Sequence, residues 1–472
     1  MSQLLVQALN DSEIEELHIC TLDLLEKVGF KISHAETLGR FAKAGAKVHE
    51  ASGMVRLPAE LTRELLQKAP SAAVQTGVNQ RRIEVGGTRR SYLSLVLDPF
   101  IANYPSGLRR PVLEDVRRHT IIGESLEKVD SLMRMEFPVA DVEGRASYYR
   151  TMETFLCHTS KHIAVYPTSV ENCQDWMEVL DVIAEAGKIE RGNAALATVA
   201  VAVTSPLQLD RRNIEIMRMA LERQYPIIPT VCPMAGTTAP YSVSGTVLQA
   251  NAEALLPVLV AQLWRPGHPV FHGAGPSVTN MKTGHDVYYK AEKMLFKLAQ
   301  VQMGKYYGLP TAGEAGGTAT ALSNVQNGAE SMSFLIASLA AGQNMVCGLG
   351  SMYNGCGMSA EQIIIHSCLI GMAEYLAQGI DTHNLRRSLK SITDTGPGGN
   401  FLTDPLTLNS LRNSEFFEHE WFGSQSGNGT VGPDIYEMAH EKAETLIDTY
   451  EPTVPGKVRE AIVRFCEDKC SC

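Results

Sequence analysis

A (β/α)8 barrel of the TIM type, an α/β fold, is the architecture that this sequence predicts, with an N-terminal helical extension and C-terminal helices. From about residue 91, short apolar runs alternate with longer amphipathic segments, as in a parallel sheet whose strands are joined by helices. The apolar runs number eight, which is the number of strands that closes this barrel. The rival fold, an open doubly wound sheet, is disfavoured because no Gly-x-Gly-x-x-Gly follows the first run.

Residues 1–90 form the predicted helical extension. Ser12 and Glu15 make a capping-box pattern that predicts the start of a first helix, and Gly29 is suited to its end. A second pattern of this kind begins at Ser33. Pro58 is suited to the first position of a third helix, because the N–H that proline lacks would have no partner there.

Residues 91–395 form the predicted barrel, and residues 396–472 form a predicted helical segment packed on it. The eight predicted strands are Tyr92–Leu97, Ser131–Phe137, His162–Tyr166, Leu196–Val203, Ile227–Val231, Val270–Gly273, Pro310–Glu314 and Met345–Leu349. The helices predicted between them include Asp175–Ala186, Asn213–Arg223, Gly245–Trp264, Val287–Tyr307, Ala329–Ala341 and Ser359–Gln378.

Composition argues against several classes of function. The 472 residues include 42 basic and 52 acidic side chains, a net charge of −10, whereas a nucleic-acid-binding protein needs a basic surface. The first ten residues lack the positive charge of a secretory signal, and no strongly apolar run reaches the roughly 20 residues of a membrane helix. Ten scattered cysteines without a Cys-x-x-Cys pattern predict free thiols and a cytoplasmic location.

Three polar residues at predicted strand ends are candidates for chemistry. Barrels of this type bind their substrates where the carboxyl ends of the strands meet, and Glu136, His272 and Glu314 all lie at such ends. Two carboxylates could act as general acid and base or hold a cation. The alternative is that one of them only anchors a loop by accepting backbone N–H bonds.

Aromatic residues near the same strand ends are candidates for binding a cation. Tyr104, Tyr166, Phe271 and Tyr353 could form an aromatic wall for a quaternary ammonium group, each ring contributing roughly 0.5–2 kcal/mol. Tyr92 and Phe100 lie in the same region. The alternative for each ring is ordinary core packing.

A metal site is not expected. The His-Glu-x-x-His pattern is missing, and no His-x-His follows the first strand. A zinc ion held by His272 with Cys232, Cys347 or Glu314 stays open as an alternative, because barrel strands bring distant residues together.

Several short stretches, spread over nearly the whole chain, carry a family resemblance. They are Leu108–Pro111, Glu114–Asp115, Pro233–Pro240, Gly245–Thr246, Asn251–Glu253, Pro266–Val270, Met281–Gly284, Glu292 and Gly396–Leu402. Together they resemble the trimethylamine:corrinoid methyltransferase family.

The resemblance implies a barrel that moves a methyl group from an amine to a separate, cobalamin-carrying corrinoid protein. Trimethylamine enzymes of the family carry pyrrolysine just after strand seven, and the alignment places Leu322 near that position. The chain therefore resembles non-pyrrolysine members, which are associated with quaternary amines such as glycine betaine, proline betaine and carnitine. A quaternary amine is already activated for methyl loss, because its departing group is a neutral tertiary amine.

The resemblance also assigns expected roles. Glu314 and His366 are the candidate catalytic residues, although His366 could equally be a hydrogen-bonded histidine of the helix core. The substrate-binding candidates are Tyr104, Glu136, Tyr166, Phe271, His272 and Tyr353. The glycine turns at Gly316, Gly317 and Gly350 are the expected cofactor-binding positions. Arg109 and the backbone N–H groups of Gly273–Gly275 or Gly316–Gly317 are candidates for binding a substrate carboxylate.

The corrinoid is expected on a partner protein. Corrinoid carriers use Asp-x-His-x-x-Gly, and here Arg386 stands where the glycine after Asp381 and His383 is needed. A homo-oligomer is a further possibility. Three alternatives to a betaine methyltransferase stay open: a trimethylamine-type enzyme lacking pyrrolysine, a non-catalytic betaine-binding protein, and a metal-dependent barrel hydrolase or lyase.

Overall fold

The computed structural model describes residues 4, 6–105, 107–190, 195–413, 415–419, 421 and 434–471. Its centre is a parallel β-barrel that confirms the predicted fold class. The barrel strands are β1 (Ser91–Leu97), β2 (Ser131–Arg134), β3 (His162–Val165), β4 (Ala197–Val203), β5 (Ile227–Val231), β6 (270–272), β7 (Ala312–Glu314) and β8 (Met345–Leu349).

Seven of these strands form one parallel sheet in the order β5-β4-β3-β2-β1-β8-β7. The short strand β6 joins its two edges. The Phe271 N–H donates to the Ile227 carbonyl at 2.9 Å, and the Ala312 N–H donates to the His272 carbonyl at 2.9 Å. The sheet is therefore closed, and each predicted apolar run supplies one strand.

Burial on both faces explains why these strands are continuous apolar runs. Every residue of β1 is buried, and six of the seven residues of β4 are buried. A parallel strand covered by helices outside and by the opposite wall inside needs apolar side chains on both faces.

Eight helices surround the barrel. They are α1 (Leu113–Ser125), α2 (Gly144–His158), α3 (Val170–Ala186), α4 (Arg211–Arg223), α5 (Val243–Trp264), α6 (Ala291–Tyr306), α7 (Val325–Ala341) and α8 (Ala360–Gln378). Among the described residues, only α5 has the length and apolar composition of a membrane span, and 72% of its apolar window is buried. It packs between β5 and the N-terminal helices, which explains why it is apolar on all sides.

The N-terminal segment contains strands that the sequence analysis missed. Its helices are Asp11–Lys27, Ala35–Lys43 and Ala59–Gln67, and its strands are Phe30–Ile32, Lys47–His49, Met54–Arg56, Ala72–Thr76 and Arg82–Gly86. These strands have three to five residues, too few for the alternation of apolar and polar residues to stand out. The capping box also lies slightly earlier in the chain than predicted, at Asn10 and Glu13.

The C-terminal helices are Leu385–Thr395, Pro405–Arg412, Ile435–Asp448 and Gly456–Ser471. The last two pack on the barrel helices. Lys469 pairs with Asp175 at 2.6 Å, and Thr453 donates to Glu124 at 2.7 Å. The predicted divisions at residues 90 and 395 stay predictions.

Two small sheets extend the loops at the carboxyl end of the barrel. One joins Met234–Ala235, Ser277–Thr279 and Asp286–Val287, and the other joins Ser351–Met352, Gly357–Met358, Phe100–Ala102 and Leu108–Arg109. The short helix Tyr353–Gly355 lies within the second. These loops form the rim of the site described next. A further strand, Gln208–Leu209, pairs with Phe30–Ile32 and ties the N-terminal segment to the barrel.

Candidate active site at the barrel mouth

A cavity of about 380 Å³ lies at the carboxyl ends of the barrel strands, and all eight strands or the residues that follow them line it. Most of the lining is apolar or small. Its ionisable and aromatic members include Asp98, Tyr166, Tyr288 and Glu314. A pocket of this size suits a small ligand, and it lies where barrels of this type carry out their chemistry.

Glu314, the last residue of β7, is placed by a glycine on the neighbouring strand. Gly348 has φ of +83°, and a Cβ at that position would lie 2.4 Å from the Glu314 Cγ. Only glycine therefore leaves room for this side chain. Burial, together with the Glu314 charge, raises the pKa of the Tyr288 and Tyr289 hydroxyls well above their ordinary values.

Two lysines of α6 reach back toward the same wall of the cavity. Lys293 is 2% exposed, and its Nζ lies 3.1 Å from the centroid of the Tyr288 ring. The Nζ of Lys297 lies 2.8 Å from the position that a Cβ on Gly313 would take. Burial lowers the pKa of Lys293 to about 7 and that of Lys297 to about 8, while Glu314 acts in the opposite direction.

The sequence analysis did not single out these lysines. Their signal was present in the sequence: Lys293, Phe296, Lys297 and Gln300 lie at helical spacing on one stripe of α6, and this stripe is buried. Lysines on a buried stripe are rare unless a charge or a ligand compensates them.

Asp98, which follows β1, is one of three carboxyl groups that line the cavity, with Asp286 and Glu314. It is 4% exposed, and its Oδ2 has no hydrogen-bond partner among the described residues. Burial, with a contribution from Glu314, raises the pKa of this carboxyl well above its ordinary value. This shift favours the protonated form of Asp98.

Asn354 fixes the loop that carries the two tyrosines. Its Oδ1 accepts from the N–H of Tyr288 at 2.7 Å and of Tyr289 at 3.2 Å, and its Nδ2 donates to the Asp286 carbonyl. Asn354 has φ of +58°, a backbone conformation that asparagine tolerates better than most residues. The loop after β8 thus positions the loop after β6.

Of the predicted substrate-binding residues, Tyr166 lines the cavity and Glu136 does not. Glu136 accepts hydrogen bonds from the Thr168 N–H (2.8 Å), the Asn172 Nδ2 (2.7 Å) and the Trp176 Nε1 (3.0 Å). These bonds hold the loop after β3, so the structure places Glu136 as a loop anchor.

The other four predicted substrate-binding residues also lie outside the cavity lining. Phe271 is fully buried in the core, and His272 bonds Asn251 of α5 at 3.1 Å. Tyr104 packs against His440, with ring centroids 5.5 Å apart. Tyr353 packs edge-on against Phe100 and is 39% exposed on the rim.

His366 lies behind the strand ends. It is fully buried, its Nδ1 accepts from the Gly350 N–H at 3.0 Å, and its Nε2 contacts Gln362 and Ser331. Burial lowers its pKa to about 3, so the ring stays neutral. The arrangement is that of a histidine which holds the loop after β8 in place.

The predicted glycine turns are filled by the protein's own side chains. A Cβ on Gly317 would lie 1.9 Å from the Tyr289 ring, and one on Gly350 would lie 2.6 Å from Ile363. Gly316, with φ of +117°, is 3.5 Å from the His366 ring by the same measure. None of the three lines the cavity.

Two further predictions concern metals and carboxylate binding. No group of three or more histidine, cysteine, aspartate or glutamate side chains that could hold a metal ion occurs within the part of the chain that the structure describes. Arg109 is paired with Asp115 through both guanidinium nitrogens, at 2.6 and 2.7 Å, and does not line the cavity.

The thiols of Cys232 and Cys347 line the cavity as well. Burial raises the pKa of Cys232 to about 11 and that of Cys347 to about 12. Because the thiolate is the nucleophilic form, these raised pKa values disfavour attack by either group at neutral pH.

A family profile described as trimethylamine methyltransferase (MTTB) matches residues 3–471, almost the whole chain. The chain belongs to the trimethylamine methyltransferase family. It is therefore a methyltransferase, and the resemblance seen in its short motifs is confirmed.

Characterised relatives in this family carry two different substrate names. The chain is 24% identical over 473 residues to trimethylamine methyltransferase MttB of Desulfitobacterium hafniense strain DSM 10664 / DCB-2, covering 97% of this chain and 93% of the relative. It is 26% identical over 460 residues to glycine betaine methyltransferase of D. hafniense strain Y51, covering 96% of this chain and 95% of the relative.

The fold is also that of a solved methyltransferase. The monomethylamine methyltransferase MtmB of Methanosarcina barkeri superposes with a TM-score of 0.54 at 12% identity, covering 94% of this chain and 88% of that one. This likeness supports the barrel architecture.

The position predicted to correspond to pyrrolysine lies in the loop between β7 and α7. Leu322 is 60% exposed there, and its N–H donates to the Thr320 hydroxyl at 3.0 Å. The correspondence of Leu322 to pyrrolysine stays a prediction.

Proposed function

We propose that this family member transfers a methyl group from a quaternary amine of the betaine type to the Co(I) of a corrinoid on a separate partner protein. The observation that carries this proposal is the placement of Glu314, an acidic side chain, in the same largely apolar cavity at the barrel mouth as Tyr166 and Tyr288. A carboxylate next to aromatic rings suits a permanent cation, and the glycine betaine methyltransferase relative supports the substrate class.

The residues of the cavity have binding and positioning roles in this proposal. Glu314 supplies the counter-charge for the ammonium head, and the tyrosine rings restrict its orientation. The apolar lining, including Leu95, Met133 and Ala200, excludes water, so these electrostatic contacts are stronger than in solution. No proton donor is needed, because a quaternary nitrogen departs as a neutral amine.

The Co(I) of the partner's corrinoid supplies the electron pair that forms the new bond to the methyl carbon. The electrons of the broken carbon–nitrogen bond remain on nitrogen as the lone pair of the tertiary amine. The protonated thiols of Cys232 and Cys347 do not compete for the methyl group, because a thiol is a far weaker nucleophile than its thiolate. The cavity opens at the strand ends, where a partner could dock.

A cytoplasmic location is part of the proposal. It is supported by the nine described cysteines, all of which are free thiols. A homo-oligomer stays a prediction.

The test is a methyl-transfer assay with the purified protein and cob(I)alamin, free or on a corrinoid protein, followed by the absorbance change on cobalt methylation. Glycine betaine, proline betaine, carnitine and trimethylamine are the substrates to compare. We expect methylation with at least one betaine and a lower rate with trimethylamine. A higher rate with trimethylamine would favour the trimethylamine-type enzyme, and betaine binding without cobalt methylation by a competent corrinoid partner would indicate a binding protein.

A further inference from the structure

We propose that Lys293 binds the carboxylate of a zwitterionic substrate and so makes the site selective for quaternary amines that carry their own negative charge. This assignment rests on the proposed function and narrows its substrate class. Betaines and carnitine belong to that class, whereas choline, tetramethylammonium and trimethylamine do not.

The first observation is the state of the Lys293 ammonium group. Lys293 is 2% exposed, and none of the described residues gives its Nζ a hydrogen-bond partner. Its nearest polar surroundings are the face of the Tyr288 ring and the Glu314 charge. A buried amine without hydrogen bonds is costly, and such a group is usually kept for binding or catalysis.

The second observation is the position of this group against the cavity wall. Gly275 and Tyr288 both line the cavity. The Nζ of Lys293 lies 3.2 Å from where a Cβ on Gly275 would be. The Tyr288 hydroxyl lies 2.5 Å from the same point, so the ammonium group lies directly behind the lining at Gly275, beside the Tyr288 side chain.

The third observation is the charge pattern of the wall. Glu314 and Lys293 place a negative and a positive group on the same side of the cavity, and Lys297 adds a second buried amine next to Gly313. A ligand with only a positive charge would meet these amines unfavourably. A zwitterion instead offers its ammonium head to Glu314 and its carboxylate to Lys293, so both buried groups gain a partner.

No other cationic side chain competes for this role at the cavity. Among the described residues, no lysine or arginine is part of the lining itself, and Arg109 already holds Asp115. Lys293 and Lys297 are the amines directly behind the lining, and among the described residues the Lys293 Nζ is fully buried without a hydrogen-bond partner.

The test compares each zwitterion with its methyl ester, which keeps the trimethylammonium head and lacks the negative charge. Calorimetric titration with glycine betaine, carnitine and their methyl esters is carried out on the wild-type protein, Lys293→Met and Lys305→Met. Lys305 is the matched control, because it lies on the same helix and donates to the Ala341 carbonyl. Methionine keeps the length of the side chain and removes the charge.

We expect the wild-type protein to bind the better zwitterion roughly 10- to 100-fold more tightly than its ester, as a charge-assisted hydrogen bond implies. Lys293→Met should lose most of this preference through weaker binding of the zwitterion, and its affinity for the ester should not fall, because the ester has no carboxylate to lose and is relieved of a repulsive charge. Lys305→Met should keep the preference.

Either of two results would overturn the assignment of Lys293 while leaving the proposed function intact. The first is equal binding of zwitterion and ester by the wild-type protein, a measurement that requires no variant. The second is an unchanged preference for the zwitterion in Lys293→Met. If neither a zwitterion nor an ester binds to the wild-type protein, the proposed function fails together with it. The two failures are thus distinguishable.

Discussion

Two glutamates at strand ends, Glu136 after β2 and Glu314 at the end of β7, show how different two sides of one barrel mouth can be. Glu136 receives hydrogen bonds from a backbone amide, a hydroxyl, an amide side chain and an indole, at distances of 2.6–3.0 Å. Glu314 lines the cavity and faces buried amines and tyrosines. A carboxylate whose oxygens are already bonded to the protein has little capacity left for a ligand.

The same contrast extends to the neighbours of each glutamate. Around Glu136, the donors are Thr168, Asn172 and Trp176, which belong to the loop after β3 and to α3. Around Glu314, the Lys293 ammonium and one oxygen of Asp98 are buried and form no hydrogen bond with any residue that the structure describes. We infer that the first side is built for stability and the second for binding.

Replacing Glu314 by Gln should have the largest effect on activity. The substitution removes the negative charge that the proposal places beside the ammonium head while keeping the size of the side chain. We expect the methyl-transfer rate with a betaine to fall roughly 100-fold, which corresponds to a loss of about 2.7 kcal/mol of charge–charge stabilisation in a cavity that excludes water. The measurement is the rate of cobalt methylation at saturating corrinoid. A rate within twofold of the wild-type value would remove Glu314 from the site.

Replacing Glu136 by Gln should instead change stability. The substitution puts an amide, which has N–H donors of its own, where a carboxylate accepts from several donors, so at least one bond is lost. We expect a loss of about 2 kcal/mol in the free energy of unfolding and no change in betaine affinity. Denaturant unfolding and calorimetric binding measure the two quantities. A loss of affinity without a loss of stability would contradict the comparison.

The sequence predicted the barrel better than it predicted the site. Strands are visible because β1 and β4 are buried on both faces and so are continuous apolar runs. The two glutamates are indistinguishable in the sequence, since both follow an apolar run. The difference depends on Thr168, Asn172 and Trp176, which reach Glu136 only after the chain has folded.

Neighbouring residues at one strand end point in different directions, and the sequence alone does not show which of them face the cavity. Gly273 and Ala274 line the cavity, whereas Phe271 and His272 point into the core or toward α5. Lys293 was missed because it is not near a strand end in the sequence. It belongs to a helix outside the barrel, and it reaches the site because Gly275 leaves a space for its ammonium group.

The dependence of betaine affinity on pH provides a second test of the cavity wall that contains Glu314 and Lys293. The titratable groups around Lys293 are Glu314, Lys297, Cys232, Asp286 and Tyr288. Burial lowers the pKa of Lys293 to about 7, so its ammonium form predominates below that pH and is lost above it. Betaine affinity should therefore be constant below about pH 7 and fall by up to about tenfold per pH unit above it.

The ester of the same betaine is the control, because it has no carboxylate to bind. We expect its affinity not to fall over the same pH range in calorimetric titrations, because loss of the ammonium charge removes a repulsion and no attraction. Parallel pH profiles for the two ligands would show that the titrating group acts on the ammonium head or on the fold.

Two tyrosines test whether the cavity lining or the rim holds the cation. Tyr166 lines the cavity, and Tyr353 packs on Phe100 at the rim. Tyr166→Ala should weaken betaine binding by about 0.5–2 kcal/mol, roughly 2- to 30-fold, as expected for one aromatic face next to a cation. Tyr353→Ala should leave the affinity unchanged in a folded protein. A larger effect at Tyr353 would move the binding site outward to the rim.

Asp98 should show the smallest effect, even though it lies in the same cavity as Glu314. Burial and the Glu314 charge raise the pKa of its carboxyl and so favour the protonated form, which resembles the amide of asparagine in shape and lack of charge. Asp98→Asn should therefore change betaine affinity by no more than about twofold. If this variant lost as much affinity as Glu314→Gln, Asp98 would be ionised in the complex, and the two carboxylates would share the ammonium head. In that case, the comparison would be between one structural carboxylate, Glu136, and two binding carboxylates, Asp98 and Glu314.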